Sequence, residues 1–289
     1  MKKWMLTVLK GIIAIVAMYF AFRNIKWEEL KAIRWSLSLV WLLPAILLYN
    51  GSQFISAYRL LQFYKLLEPT LVYRFNLQLY YIGMFYNLFL PGGVGGDFYK
   101  VMVIKKRGAA LLQATKATLL DRATGLLVLL SIITVLANFV EINLPHKILR
   151  IVAIAVIPGF FCYWLIIRRY FKPFGAVIPK AISLSLLIQF CQLLSFCCLL
   201  LFFQAPWESI PRYAVVFFAG SVIAALPVSI GGIGTRELAM ATGAAYLSLS
   251  PAIAVSASLF FYIITALSAL TGWLCSKHSL VRIMEEKNN

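Results

Sequence analysis

Two glycine-rich breaks, each carrying charged residues, interrupt a chain that is otherwise mostly apolar. Residues 92–97 read Gly-Gly-Val-Gly-Gly-Asp, and residues 231–237 read Gly-Gly-Ile-Gly-Thr-Arg-Glu. An apolar run that ends near a proline, Pro91 or Pro227, precedes each break. Irregular backbone and charge inside a membrane are costly unless they line a cavity or are buried in protein. Two such breaks in matching places predict a ligand site built from discontinuous helices, as in transporters.

The composition places these breaks in a membrane. The chain has 289 residues, of which 62% are hydrophobic and 13% are charged, and its mean hydropathy is +0.87. A soluble domain is nearer half apolar and a quarter charged. Several apolar runs are long enough to cross roughly 30 Å of hydrocarbon. We therefore predict an all-α, polytopic integral membrane protein. Residues 4–22 are too long for a cleavable signal and are interpreted as a retained first span.

The net charge of +17 has a simple explanation in a membrane protein. Positive residues collect on the cytoplasmic side and attract anionic headgroups. No nucleic-acid partner is expected, because no soluble basic domain or RNA-binding motif is present. The five cysteines and two histidines lack metal-ligand spacing, so neither a metal nor another cofactor is predicted.

Hydropathy predicts about six full spans and two re-entrant helical hairpins. The first hairpin contains the apolar run 76–90, and the second contains the run 213–229 and the short segment 238–249. The full spans are expected at 4–22, 37–56, 121–140, 148–167, 181–203 and 251–275. Arg59 falls between the predicted spans, in a mixed polar stretch.

The distribution of positive charge predicts an orientation. With both termini inside the bacterial cytoplasmic membrane, 18 Lys and Arg lie inside and 7 lie outside. The segments 1–140 and 148–275 then contain the same parts in the same order but with opposite insertion. We therefore predict one membrane domain, 1–289, built as an inverted-topology repeat.

The charged and glycine residues of the breaks form the candidate binding site. Glycines let the backbone approach a ligand closely. A helix that restarts after a break presents free N–H groups that suit a phosphate. Arg236 adds a planar fork for a phosphodiester, and Asp97 and Glu237 balance charge. The predicted site residues are Gly92, Gly93, Gly95, Gly96, Asp97, Lys100, Asp121, Arg122, Gly231, Gly232, Gly234, Arg236 and Glu237. No catalytic set is predicted.

Structural interpretations of the same residues stay open. Asp121 and Arg122 would also suit an interfacial helix cap and a snorkelling arginine at the start of a span. Arg236 and Glu237 would also suit a local ion pair, and the glycines would suit tight helix packing. The aromatic residues between 80 and 89 indicate either an interfacial belt or the wall of a groove.

Three spaced motifs carry a family resemblance. They are the stretch 87–97 followed by Lys100, the stretch 121–125 (Asp-Arg-Ala-Thr-Gly), and the stretch 229–237. Together they resemble the lysylphosphatidylglycerol synthase transmembrane family over roughly residues 5–275. The resemblance implies a flippase-like domain that moves phospholipid between leaflets. In larger relatives a separate soluble domain performs the aminoacyl transfer.

The resemblance implies a transporter rather than a synthase for this chain. Only about a dozen residues follow the last predicted span, so aminoacyl-lipid synthesis is not expected. Relatives often carry Arg where this chain has Lys100. The expected partners are membrane lipids, either anionic phospholipid or polyprenyl phosphate, with a homo-oligomer or an envelope-lipid enzyme as a further possibility. A lipid-binding accessory subunit and a membrane enzyme acting on lipid phosphates remain as alternative functions.

Overall fold

The computed structural model describes residues 39–89, 95–140, 146–225 and 234–278, which are helical throughout except for short turns. The predicted first span, 4–22, lies outside them. The helices within these ranges are α1 (Leu42–Tyr64), α2 (Tyr73–Phe89), α3 (Gly95–Lys106), α4 (Leu111–Ala137), α5 (His146–Tyr170), α6 (Ile178–Phe202), α7 (Ile210–Ala225), α8 (Thr235–Tyr246) and α9 (Pro251–His278). Short 3₁₀ turns lie at Leu39–Trp41, Lys172–Val177 and Trp207–Ser209.

Four of the described helical segments are long and apolar enough to cross a membrane. They contain 24 to 31 residues each. A helix of that length rises at least about 36 Å, which exceeds the hydrocarbon thickness of roughly 30 Å. The segments are Leu39–Tyr64, Leu111–Ala137, Lys172–Phe202 and Pro251–Leu274. The predicted all-α membrane fold is confirmed.

The broken helices form two tightly packed hairpins. In the first, α2 and α3 are so close that a methyl group on Gly96 would overlap the carbonyl oxygen of Gly83. In the second, a Cβ on Gly243 would lie 2.9 Å from Val216 Cγ1, which places α7 against α8. Small residues therefore serve close helix packing in both hairpins. In the first hairpin this packing uses a glycine of the break, Gly96, whereas Gly243 in the second hairpin lies inside α8, beyond the break.

The two hairpins enter from opposite ends of the molecule. At one end α4 begins near the end of α5, where Lys116 Nζ donates to the carbonyl oxygen of Tyr170 at 3.5 Å. The hairpin α2–α3 starts and finishes at this end. At the other end Arg212 Nη1 donates to Leu247 O at 3.3 Å, joining the start of α7 to the end of α8. The last turns of α2 and α7 therefore both lie toward the middle of the molecule.

Two predicted boundaries are wrong, and both errors concern buried charge. Helix α4 begins at Leu111 rather than at 121, so Asp121 and Arg122 lie in its interior. The interpretation of these two residues as a helix cap at the start of a span is therefore wrong. Helix α1 continues to Tyr64 and includes Arg59, which is buried. Hydropathy treats each charge as an interruption, whereas Arg59 and Asp121 neutralise each other inside the protein.

Candidate functional site

A cavity of about 700 Å³ lies at the centre of the described helices. Its wall uses the middle of each of the four spanning segments, at 49–59, 119–129, 188–192 and 261–269. The last turns of α2 and α7, which lead into the two glycine breaks, complete the wall. The cavity therefore lies at the depth where discontinuous helices are expected to build a binding site.

Three arginines line this cavity: Arg59, Arg122 and Arg236. No Asp or Glu is found among the described residues of its wall. A cleft that is lined by one sign of charge and enclosed by low-dielectric walls concentrates counter-ions. The arrangement therefore suits an anion.

Arg59 is held in place by a carboxylate on another helix. Its Nε donates to Asp121 Oδ1 at 2.8 Å, and its Nη2 donates to Asp121 Oδ2 at 3.2 Å. Nη1 donates to Ser185 Oγ at 2.7 Å. This bidentate pair ties α1 to α4, and the hydroxyl adds α6. Gly125 lies beside it, because a Cβ there would come within 3.1 Å of Arg59 Nη1.

Arg122 lies on α4 and belongs to a second cluster, whose other members lie on α3 of the first hairpin. Asp97 accepts ion pairs from Arg122 Nε and, at 2.7 Å, from Lys100 Nζ. Asp97 and Lys100 are buried, whereas the Arg122 side chain is 42% exposed. One carboxylate therefore serves two cations, and a positive charge remains at the edge of the cavity.

No carboxylate among the described residues contacts Arg236 directly. Its Nε donates to Ser258 Oγ at 3.0 Å, and its Nη2 donates to Ser258 O at 3.1 Å. The same hydroxyl donates to Glu237 Oε1 at 3.1 Å, so Arg236 and Glu237 meet through Ser258. The expected local pair is therefore indirect in the described structure. The guanidinium also lies 4.9 Å from the ring centroid of Phe261, a cation–π contact.

Two of the backbone amides expected to face a ligand already have protein partners. The N–H of Gly96, in the first turn of α3, donates to Asn87 Oδ1 at 2.8 Å. The N–H of Gly234, before α8, donates to Glu237 Oε2 at 2.8 Å, which is the half of a capping box that a glycine N-cap can form. Asn87 and Glu237 therefore do the capping that was assigned to a phosphate. Gly95 begins α3, and Gly92, Gly93, Gly231 and Gly232 lie outside the described residues.

The predicted site residues divide into two groups. Arg122 and Arg236 line the cavity. Behind them, the carboxylates of Asp97, Asp121 and Glu237 hold the arginines or a helix end, and Lys100 pairs with Asp97. The structure adds Arg59, which was predicted to lie in a mixed stretch. The sequence does contain a signal for Arg59, namely a stripe of polar residues. Gln53, Ser56 and Arg59 recur every three residues, which places them on one face of a helix.

Neutral polar groups cover another part of the wall. Gln192 Nε2 and Gln53 Nε2 donate to Ser52 Oγ at 3.4 and 3.1 Å, and Tyr80 OH donates to Gln53 Oε1 at 3.4 Å. The aromatic residues before the first break were expected to form either an interfacial belt or the wall of a groove. Tyr80 lines the cavity, so the groove wall applies to it. The neighbouring Tyr81 is buried against α1 rather than lying in an interfacial belt, because its hydroxyl donates to Asn50 Oδ1 at 3.3 Å and its ring contacts Phe54.

The cavity opens toward the outer surface of α4. Leu119 is 57% exposed and Leu126 is 38% exposed, yet both also line the cavity. Ala123, between them, is exposed as well. Helix α4 is one of the segments long and apolar enough to span a membrane, so the opening lies on a candidate membrane-spanning helix.

Comparison with known families shows which family the chain belongs to. Residues 7–178 match the model described as the lysylphosphatidylglycerol synthase TM region, and this is more than half of the chain. The chain belongs to this family. Membership makes it a multi-pass membrane protein whose role is connected with membrane lipids.

The matched region of the lysylphosphatidylglycerol synthase TM family covers only part of the cavity. It contains Arg59, Asp97 and the Asp121-Arg122 pair, whereas the second break and Arg236 lie beyond its end. The predicted resemblance over residues 179–275 therefore stays a prediction. No curated protein matches the chain.

Proposed function

We propose that this protein moves a phosphate-bearing anionic lipid across the membrane, with the headgroup passing through the cavity. One observation carries the proposal: three arginines and no described acidic residue line a cavity at the middle of the four spanning segments. A charged headgroup meets its largest barrier at that depth. Arginine forks match phosphate oxygens and replace the water that the headgroup leaves behind.

The opening beside α4 favours a lipid over a water-soluble anion. Leu119 and Leu126 are apolar and exposed on a spanning helix, and Arg122 lies between them in sequence. A lipid entering here would keep its acyl chains in the hydrocarbon while its phosphate reached Arg122. A soluble anion would gain nothing from an apolar entrance.

The three arginines take different parts in this proposal. Arg122 is partly exposed and receives the phosphate at the entrance. Arg236 is free of a direct carboxylate partner in the described structure and binds the phosphate inside. Arg59 is ion-paired with Asp121. It contributes positive electrostatic potential and forms one side of the cavity wall.

Alternating access would come from the two hairpins. They enter from opposite ends, and the last turns of α2 and α7 both line the cavity. We therefore retain the inverted repeat of 1–140 and 148–275 as part of the proposal. Rocking one repeat against the other would expose the cavity first to one leaflet and then to the other.

The orientation follows from charge at the two ends. The end that contains the start of α2 faces the cytoplasm, because positive residues remain on that side. It carries Lys65, Arg74, Lys105, Lys106, Arg107, Lys116, Arg168, Arg169, Lys172 and Lys180. The described part of the opposite end carries Lys147, Arg150, Arg212 and Glu208, so it has far fewer positive residues. A bacterial cytoplasmic membrane with both termini inside is the arrangement we propose.

A leaflet-exchange assay tests the proposal. The full chain is placed in liposomes containing fluorescent phosphatidylglycerol, lysyl-phosphatidylglycerol or a polyprenyl phosphate, and a membrane-impermeant quencher reports the outer fraction over time. We expect faster exchange of an anionic lipid and a loss of about tenfold or more in Arg236→Gln, since charged hydrogen bonds contribute about 1.5–3 kcal/mol. Arg169→Gln is the matched control, because Arg169 is exposed at the basic end.

The alternatives predict other results. Lipid binding without exchange, lost in Arg236→Gln, would indicate an accessory protein that presents lipid. Consumption of the phosphate lipid would indicate an enzyme. Equal exchange in wild type, Arg236→Gln and Arg122→Gln would show that the cavity does not carry the headgroup.

A further inference from the structure

One cavity residue has a hydrogen-bonding atom that nothing in the described structure uses. The amide oxygen of Gln189 is buried and has no hydrogen-bond partner, and the residue is only 8% exposed. Two other buried amide oxygens share this state, on Asn76 and Gln113, but neither residue lines the cavity. A buried acceptor without a donor is unfavourable and calls for an explanation.

The position of Gln189 supplies that explanation. It lies on α6 one turn after Ser185, which accepts a hydrogen bond from Arg59 Nη1. Residues four apart are neighbours on a helix face, so the amide and the Arg59 guanidinium lie on the same part of the wall. A phosphate held among the arginines would bring its headgroup substituent close to Gln189.

The charges around the cavity limit what that headgroup carries. Four cations and three carboxylates occupy the membrane interior of the described chain, so the set retains one positive charge. The cations are Arg59, Lys100, Arg122 and Arg236, and the carboxylates are Asp97, Asp121 and Glu237. A ligand with one negative charge neutralises the set. A cationic headgroup would cancel the phosphate and leave the positive charge uncompensated.

We propose that the ligand is a monoanionic phosphodiester lipid whose uncharged headgroup bears a hydroxyl, and that Gln189 selects it by accepting the hydroxyl proton in a hydrogen bond. This inference rests on the proposed function and narrows its substrate class. It distinguishes such a lipid from a polyprenyl phosphate, which has no headgroup hydroxyl, and from lysyl-phosphatidylglycerol, whose headgroup is cationic.

A matched pair of lipids tests the role of Gln189. Phosphatidylglycerol and phosphatidylmethanol have the same charge and the same glycerolipid body, but only the first has hydroxyl groups on its headgroup. Binding of each to the full chain in nanodiscs is measured alongside leaflet exchange. We expect the wild type to bind phosphatidylglycerol about tenfold more tightly than phosphatidylmethanol, because one buried hydrogen bond contributes about that much to affinity. In Gln189→Leu the preference should disappear.

Gln113→Leu is the control, since it also removes an unpartnered buried amide oxygen but lies outside the cavity wall. It should retain the full preference. If Gln189→Leu does not fold, Gln189→Asn keeps the amide and shortens its reach, and it should also lower the preference. Lysyl-phosphatidylglycerol should bind more weakly than phosphatidylglycerol.

Equal binding of the two matched lipids by the wild type would overturn this inference and leave the proposed function standing. A preference that survives in Gln189→Leu, or tighter binding of lysyl-phosphatidylglycerol, would also overturn it. Absence of both binding and exchange for every lipid would overturn the proposed function and this inference together.

Discussion

Arg59, in the first half of the chain, and Arg236, in the second, line the same cavity but are held in different ways. Arg59 forms a bidentate ion pair with Asp121 and a third hydrogen bond to Ser185. Among the described residues, Arg236 is held by neutral groups, namely the hydroxyl and the carbonyl of Ser258 and the ring of Phe261. The first arginine joins three helices, whereas the second joins the start of α8 to α9.

The difference separates a structural role from a binding role. A buried guanidinium that has a bidentate pair with a carboxylate of its own, as Arg59 has with Asp121, is a weak competitor for a phosphate. A guanidinium held by neutral groups keeps its charge available while its orientation is set. We therefore expect loss of Arg59 to damage the fold first and loss of Arg236 to damage lipid binding first. The following changes test this comparison in order of decreasing effect.

The largest effect is expected from Arg59→Met. It leaves Asp121 buried without its cation, and breaking one partner of a buried pair costs about 3–5 kcal/mol of unfolding free energy. The double variant Arg59→Met with Asp121→Leu removes both charges and should recover most of that loss. Unfolding in detergent, followed by circular dichroism, measures all three proteins. A single variant as stable as wild type would refute the structural role of Arg59.

The next effect distinguishes the two hairpins. A methyl on Gly96 would overlap backbone of Gly83, whereas a methyl on Gly243 would meet Val216 Cγ1, a side chain that can shift. We expect Gly96→Ala to cost about 3 kcal/mol and Gly243→Ala about 1 kcal/mol of unfolding free energy.

Gly51→Ala is the control for the hairpin variants, because nothing lies within 4 Å of its added methyl. It should stabilise α1 by up to about 1 kcal/mol, as alanine does in a helix interior. Equal losses in Gly96→Ala and Gly243→Ala would show that the two hairpins tolerate crowding alike, contrary to the contacts described above.

A smaller effect is expected from Arg236→Lys. The charge remains, but a single ammonium cannot reproduce the fork that binds Ser258 and a phosphate together. Leaflet exchange of phosphatidylglycerol should fall about tenfold, or about 1.4 kcal/mol in barrier, while the unfolding midpoint stays near that of wild type. A large loss of stability with unchanged exchange would reverse the roles assigned to the two arginines.

The smallest effect is expected from Lys180→Ala. Like Arg59, Lys180 links α6 to α1, through hydrogen bonds of 3.0 Å to Tyr58 OH and Gln62 Oε1, but these groups are exposed. Unfolding free energy should change by less than about 0.5 kcal/mol. A loss comparable to that of Arg59→Met would mean that burial does not explain the difference between the two links.

The prediction of the fold from sequence succeeded where apolar length carried the signal. The segments predicted at 37–56, 181–203 and 251–275 correspond to described spanning segments, and the two short apolar runs correspond to α2 and α7. The prediction failed at Arg59 and Asp121. They lie 62 positions apart in sequence, so neither reveals that the other neutralises it.

The candidate site was predicted in part. Arg122 and Arg236 were named from the sequence, and both line the cavity. The assignment of the Gly96 and Gly234 amides to a phosphate did not anticipate that Asn87 and Glu237 occupy them. Gln189 carried no signal at all, because an amide in an apolar helix is unremarkable until its surroundings are known.

The sequence by itself determined the class of protein, the order of its described apolar segments, and the two breaks with their charges. These properties follow from local composition, since a hydrocarbon core selects for length and hydropathy residue by residue. Only the tertiary structure decided which charges neutralise each other, which arginines face the cavity, and which side of α4 is open. Those outcomes depend on contacts between helices that are distant in the chain, and the free energy of a buried charge depends on its partner.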